Sequence, residues 1–201
     1  MSKFYDEKYR GDALYWGRQP SSIARILFAK YPPQSVQTLL DIGCGEGRDC
    51  VFFAHNGYLV TGFDSSEEGV KKSRAVATEQ GLDIELFQAD INEYRLDKAY
   101  DVIFASGALH YIDPPMREEI VSHYKQFTVP GGLHAFTVPI QKAFLAQDPE
   151  ADPMEHYWRS GEILTLYHDW RIELFAEEIL DDIHSRFKFP VNRLIAREPS
   201  A

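Results

Sequence analysis

Three carboxylates stand where they can act together. Asp41, Asp64 and Asp90 each close a short apolar run, in TLLD, YLVTGFD and IELFQAD. One residue beyond the first comes GCGEG, with glycine at 43, 45 and 47. Glycines at alternate positions permit a tight turn and let a ligand reach the backbone with no Cβ in the way. Asp64 follows at about the twenty-residue spacing that lets an acid at the tip of the next strand grip both hydroxyls of a ribose. A dinucleotide fingerprint would need its third glycine at position 48, which is Arg48,. The pattern is G-x-G-x-G, and Asp41 just ahead of it would repel a pyrophosphate,. A nicotinamide oxidoreductase is therefore disfavoured.

S-adenosylmethionine suits these residues better, because it has a ribose and an adenine but no phosphate, and its sulfonium and ammonium are positive. Asp41 would attract the cationic end, and Asp64 would hold the ribose,. Asp90 would accept from the adenine amino group, with the backbone at Ile91 completing that edge. Asp90 reads equally well as a turn cap. His110, after the fourth strand, either faces this site or caps a loop as a half-buried polar residue. IDPPM at 112–116 resembles an amino-methylating DNA signature only in its letters: Asp113 capping a turn with proline behind it explains them,. Seven histidines include no H-E-x-x-H and no close His/Cys cluster, so no metal is expected,.

The elements that must position these residues follow a regular alternation. PSSIARILFAKY reads as a helix capped by Ser21 or Ser22, with Ile23, Ile26 and Leu27 at helical spacing and Pro32 and Pro33 stopping it,. TLLDIG is a buried strand, and the next helix runs through RDCVFFAHNG to Gly57,. YLVTGFD is a strand and SSEEGVKKSRAVATEQG a capped helix with an acidic first turn,. IELFQAD, DVIFASG and LHAFTVP are further strands, and DPPMREEIVSHYKQFTVPGG is a helix with a Pro-Gly-Gly stop. Such alternation means parallel βαβ units with helices on both faces. The tail departs from it: a helix in SGEILTLYHDW is followed by strands RIELFAEEIL and KFPVNRLIARE. DDIHSR between them is too short for a right-handed crossover, so the pair must be an antiparallel hairpin,.

At 201 residues the chain is expected to be one domain, and its formal charge of −10 argues against nucleic acid or an anionic membrane as partner,. The charged opening MSKFYDEKYRGD has no signal core, and only Cys44 and Cys50 are present, so a reduced cytoplasmic location is expected,. A monomer or homodimer is expected. The division anticipated is a lid and helix over 1–34, a cofactor core over 35–140, and a substrate-side insertion with the hairpin over 141–201. Tyr5, Tyr9, Tyr15, Trp16, Tyr157 and Trp158 would together shape the acceptor pocket as a lid, while each one singly reads rather as packing,.

DIGCGEG, GFDSS, QADI and TVPGG resemble the successive motifs of the class I methyltransferases that use S-adenosylmethionine, over about residues 35–140. The resemblance implies an α/β, Rossmann-like, doubly wound, seven-stranded sheet with the last strand antiparallel. Within that class, GEGRD and the LYHDWRIELFAEEIL tail ending in LIARE are most similar to the tellurite-resistance methyltransferases, relatives of the thiopurine methyltransferases. The cofactor set so implied is Arg18 over the methionine carboxylate, Asp41, Gly43, Cys44, Gly45, Gly47, Asp64, Ser65, Asp90, Ile91 and Ser106. The catalytic set is His110 with His184 and Arg186, which stand near Asp181 and Asp182 in place of that family's His-Arg pair. The implied activity is methyl transfer to a small-molecule acceptor, a thiol or a chalcogen oxyanion. The alternatives are O- or N-methylation of a metabolite, or a non-catalytic sensor or scaffold that only binds the cofactor.

Overall fold

The computed structural model describes residues 4–146, 149, 152–181 and 188–200. Its centre is a seven-stranded sheet: β1 (Gln37–Ile42), β2 (Tyr58–Asp64), β3 (Ile84–Gln88), β4 (Tyr100–Ser106), β5 (Thr128–Pro139), β6 (Arg171–Asp181) and β7 (Lys188–Arg197), in the order β3-β2-β1-β4-β5-β7-β6. The pairs β3/β2, β2/β1, β1/β4 and β4/β5 are parallel, whereas β7 runs antiparallel to both β5 and β6. This is the doubly wound sheet with a terminal hairpin. Its strand order reverses between β1 and β4, and in open α/β sheets ligands bind outside the carboxyl ends at such a switch point.

The helices are α1 (Phe4–Tyr9), α2 (Ser22–Lys30), α3 (Arg48–His55), α4 (Glu67–Glu79), α5 (Arg117–Gln126) and α6 (Glu162–Thr165). Strand side chains alternate, so Leu39 and Leu40 enter opposite cores,. Leu39 packs with Ile23 and Leu27 of α2, Phe53 of α3 and Val70 of α4. Leu40 packs with Ile120 and Tyr124 of α5 and with Ile163, Tyr167 and Trp170. Ser21 caps α2 by accepting from the Ala24 N–H at 3.3 Å, and Ser66 caps α4 by accepting from Gly69 N at 3.0 Å. Among the described residues, no helix is long and apolar enough to cross a membrane.

Three expectations are corrected. Pro-Gly-Gly does not stop α5, which ends at Gln126 with Phe127 as its cap; Pro130, Gly131 and Gly132 belong to β5, where its pairing with β4 shifts register. Gly132 is needed there because a Cβ would meet Thr128 Cγ2 at 2.6 Å and the Asp101 carbonyl at 2.9 Å. The helix read in SGEILTLYHDW is only the single turn of α6. Asp113 does precede a proline-led 3₁₀ turn, Pro114–Met116, but its side chain makes no capping bond.

One buried group gives the fold a pH dependence. His134 on β5 is fully buried, with Nε2 2.8 Å from Thr128 Oγ1 and Nδ1 2.5 Å from the Tyr167 hydroxyl. Burial, followed by the charge of Lys125, holds its pKa down to about 3, against 6.5 for an ordinary histidine. The folded state therefore keeps it neutral where the unfolded chain takes up a proton. Its contribution is complete above pH 6.5 and is lost as pH falls towards 3,. Between pH 7 and pH 5 this removes about 2 kcal/mol. Urea denaturation of wild type and His134→Gln at both pH values should show that much less pH sensitivity in the variant.

Candidate functional site

A cavity of about 670 Å³ opens at the carboxyl edge of the parallel strands, within the range of about 300–1,000 Å³ usual for small-molecule sites. Its floor is made of strand ends and the turns after them. β1 leads into Asp41, Gly43, Cys44 and Gly45; β2 supplies Asp64 and Ser65; β3 leads to Asp90 and Ile91; β4 ends at Ser106, with His110 just beyond. All of these were expected on the site, and the fold brings them to one cavity wall.

Asp64 is held on both oxygens: Oδ2 accepts from Gly45 N and Oδ1 from Ser66 N, each at 2.8 Å. Burial pushes its pKa up, and the Ser66 and Gly45 N–H groups oppose that rise. Behind the glycine turn, Asp41 and Asp49 are both buried. Burial, then the charge of Asp49, drives Asp41 well above the usual carboxylate range. Asp41 Oδ2 accepts from Cys50 Sγ at 3.2 Å. Asp49 is raised by burial and held back by Arg48 and by Ser21, whose N–H it accepts at 2.7 Å. The charge of Asp49 makes Asp41 harder to ionise, and Arg48 stands 3.6 Å from Asp49 on the other side of the pair's balance,. Asp90 takes its turn-capping part as well, accepting from Asn92 N at 2.9 Å.

The glycines answer to the protein first. At Gly43 (φ +67°) a Cβ would lie 2.3 Å from Ala108 Cβ, in the turn after β4. At Gly45 (φ +54°) it would stand 3.0 Å from the Tyr9 hydroxyl. Gly47 does not line the cavity; its Cβ would meet Ser73 Oγ at 2.1 Å, so this glycine lets α3 and α4 approach. Arg18 is exposed and lies outside the cavity wall, where Ser21, Arg48 and Asp49 stand instead. Trp158 is core: it is 1% exposed and donates from Nε1 to the Leu109 carbonyl at 3.0 Å. His184 and Arg186 lie outside the described residues.

The roof comes from the N-terminal segment. Tyr5, Tyr9, Tyr15 and Trp16 line the cavity. Asp6 accepts from Ser66 Oγ at 2.5 Å and from Glu68 N at 3.3 Å, which fastens α1 to the start of α4. A negative side chain is favourable at a helix N-terminus. Glu46 binds Lys72 at 2.7 Å, and Lys72 donates to the Ala13 carbonyl at 2.8 Å, so the glycine turn and the roof share one anchor. Tyr9 is lifted well above its ordinary pKa by burial, then by Asp64.

The far wall holds residues that the sequence reading did not single out. Asp152 and Glu155 face the cavity beside His110, Tyr111 and Tyr157. The His156 N–H donates to the His110 carbonyl at 2.7 Å, and Arg117, stacked 4.3 Å from the Trp158 ring, holds the His156 carbonyl. The segment carrying the two acids is thus pinned to the turn carrying His110.

The family model described as "Tellurite resistance protein TehB" matches residues 31–193. The chain belongs to the TehB family. It is 27% identical over 151 residues to "Hemagglutinin 1" of Eikenella corrodens, covering 73% of this chain and 49% of that one. It is 25% identical over 166 residues to the "Probable S-adenosyl-L-methionine-dependent methyltransferase TehB" of Haemophilus influenzae strain Rd, covering 80% and 57%. This TehB-family chain therefore spans about half the length of these curated relatives. The crystal structure of TehB from Haemophilus influenzae superimposes with a TM-score of 0.76 at 21% identity, over 98% of this chain and 66% of that one, which shows a common fold.

Proposed function

We propose that this TehB-family protein transfers a methyl group from S-adenosylmethionine to a small-molecule acceptor. The observation that carries this reading is the placement of Asp41, Asp64 and Asp90 at the tips of successive strands around one cavity. The donor set fits the cofactor. Asp64 offers acceptors for a ribose, Asp90 and the Ile91 backbone offer an edge for adenine, and the buried Asp41–Asp49 pair offers negative charge to the ammonium and sulfonium,. When bound, the cofactor supplies a methyl carbon activated by its sulfonium.

The chain's own task is to hold the acceptor in line and to keep water out. The roof of Tyr5, Tyr9 and Trp16 does the second, fastened through Asp6 and Lys72. The turn after β4 and the segment around Glu155 do the first. His110 is the proton-accepting group on the acceptor side, where it lines the cavity beside Glu155. An anionic acceptor such as a chalcogen oxyanion would meet Asp152 and Glu155 there, so that part of the expectation loses ground to a neutral or positive acceptor,.

Calorimetry with S-adenosylhomocysteine tests the reading. One saturating site per chain is expected, and incubation with methyl-labelled cofactor should pass label to a small molecule. Absence of a binding isotherm would reject the proposal.

A further inference from the structure

Resting on the methyl-transfer reading above, we infer that the acceptor is a protonated amine attached to an aromatic or apolar body, recognised by Glu155 and Asp152 within a ring of tyrosines. The acids are not a loose surface cluster. Asp152 is 2% exposed, and the Glu155 side chain is 10% exposed. The Tyr111 hydroxyl lies 3.3 Å from Glu155 Oε1 and 3.4 Å from Asp152 Oδ2, bridging the two. Tyr157 donates from its hydroxyl to Glu155 Oε2.

Glu155 stays ionised in this setting. Burial raises its pKa, but His110 beside it, then Tyr157 and Tyr111, bring it below the ordinary value. Each carboxylate oxygen accepts up to about two hydrogen bonds, so the tyrosines leave room for a further donor. The aromatic rings complete the selection. Tyr111 meets Tyr5 edge-on at 6.3 Å between centroids, and Tyr157 stacks on His110 at 5.8 Å. Carboxylates flanked by aromatic faces attract a cation through both charge and ring quadrupole.

His110 supplies an independent observation that points to a ligand. It is 3% exposed and lines the cavity, yet among the described residues its Nδ1 has no hydrogen-bond partner. Its Nε2 stands 3.6 Å from Glu155 Oε1, beyond hydrogen-bond length,. Cations on the same cavity are spoken for or screened. Lys142 pairs with Glu177 at 2.5 Å, Arg48 donates to the Trp16 carbonyl, and Lys8 lies over the rings of Phe4 and Tyr15. Arg25 and Lys188 also line the cavity and are exposed to water,.

The step balances with the groups in place. One proton leaves the ammonium for the His110–Glu155 pair, and the freed nitrogen lone pair forms the new bond to the methyl carbon. The carbon–sulfur bond breaks with its electrons passing to sulfur, and the methylated amine leaves as a cation. Glu155 both receives the amine and stabilises the imidazolium.

The test titrates phenethylamine and 3-phenylpropionate, matched in size and opposite in charge, into the protein already saturated with S-adenosylhomocysteine. The amine should bind at least tenfold more tightly than the acid, and Glu155→Gln should weaken the amine at least tenfold while S-adenosylhomocysteine binds as before. Tighter or equal binding of the acid, binding of neither, or an unchanged amine affinity in the variant overturns the inference. Failure of S-adenosylhomocysteine itself to bind the wild type would strike the underlying methyl-transfer reading instead.

Discussion

Asp64→Asn is expected to weaken S-adenosylhomocysteine binding about a hundredfold, as two charge-assisted hydrogen bonds of roughly 1.5–3 kcal/mol each are reduced to weaker neutral ones. The reason lies in the geometry. Asp64 ends β2 on the cavity wall, and the Gly45 and Ser66 amides fix the direction of its oxygens. An amide of the same shape keeps one acceptor oxygen and presents an NH₂ where the carboxylate accepted. It also removes a buried charge that burial disfavours. Against that, the new NH₂ faces either the Gly45 or the Ser66 N–H, which loses its acceptor at about 1–3 kcal/mol, so the variant should unfold within about 10 °C of the wild type,. Calorimetry and a thermal melt on the same sample separate a lost binding contact from a damaged fold. Wild-type affinity in the variant would remove Asp64 from the site.

The second large effect concerns stability. Gly43→Ala should destabilise the protein by about 3 kcal/mol or more, the sum of a left-handed backbone carrying a Cβ and an overpacked contact. Its φ is +67°, and the new methyl would sit 2.3 Å from Ala108 Cβ. Ala108 lies on the turn after β4, so the strain spreads to the turn that leads to His110. Ala108→Gly removes the clashing partner and leaves the backbone cost. In the double variant, denaturant midpoints should recover about half of the loss. No recovery would mean that the clash is relieved elsewhere.

The sheet was legible because its strands carry their own signals. TLLDIG, YLVTGFD and DVIFASG are apolar on both faces, as strands covered by helices on both sides must be,. DDIHSR was too short for any connection but a hairpin, and β6 and β7 do pair antiparallel. Pro-Gly-Gly misled because a local stop signal says nothing about a bulge, and Gly132 is dictated by Asp101 on a neighbouring strand. The acids at strand tips were readable for the same reason as the strands. What the glycines face was not: Ala108 and Ser73 are distant in sequence and are brought to Gly43 and Gly47 only by folding. Asp152 and Glu155 sit in a stretch with no helical or alternating pattern, so no periodicity points to them. Tyr157 gave a cue through its aromatic type, but its neighbour Trp158 gave the same cue and turned inward to the core.

The central claim is that Asp64 clasps the ribose of an S-adenosylmethionine-derived nucleoside in this cavity. A crystal structure of the protein soaked or grown with S-adenosylhomocysteine measures it directly. The account predicts the nucleoside beside the glycine turn, with the Asp64 carboxylate at about 2.5–3.0 Å from both ribose hydroxyls. A ligand lodged elsewhere, or a ribose turned away from Asp64, would contradict it.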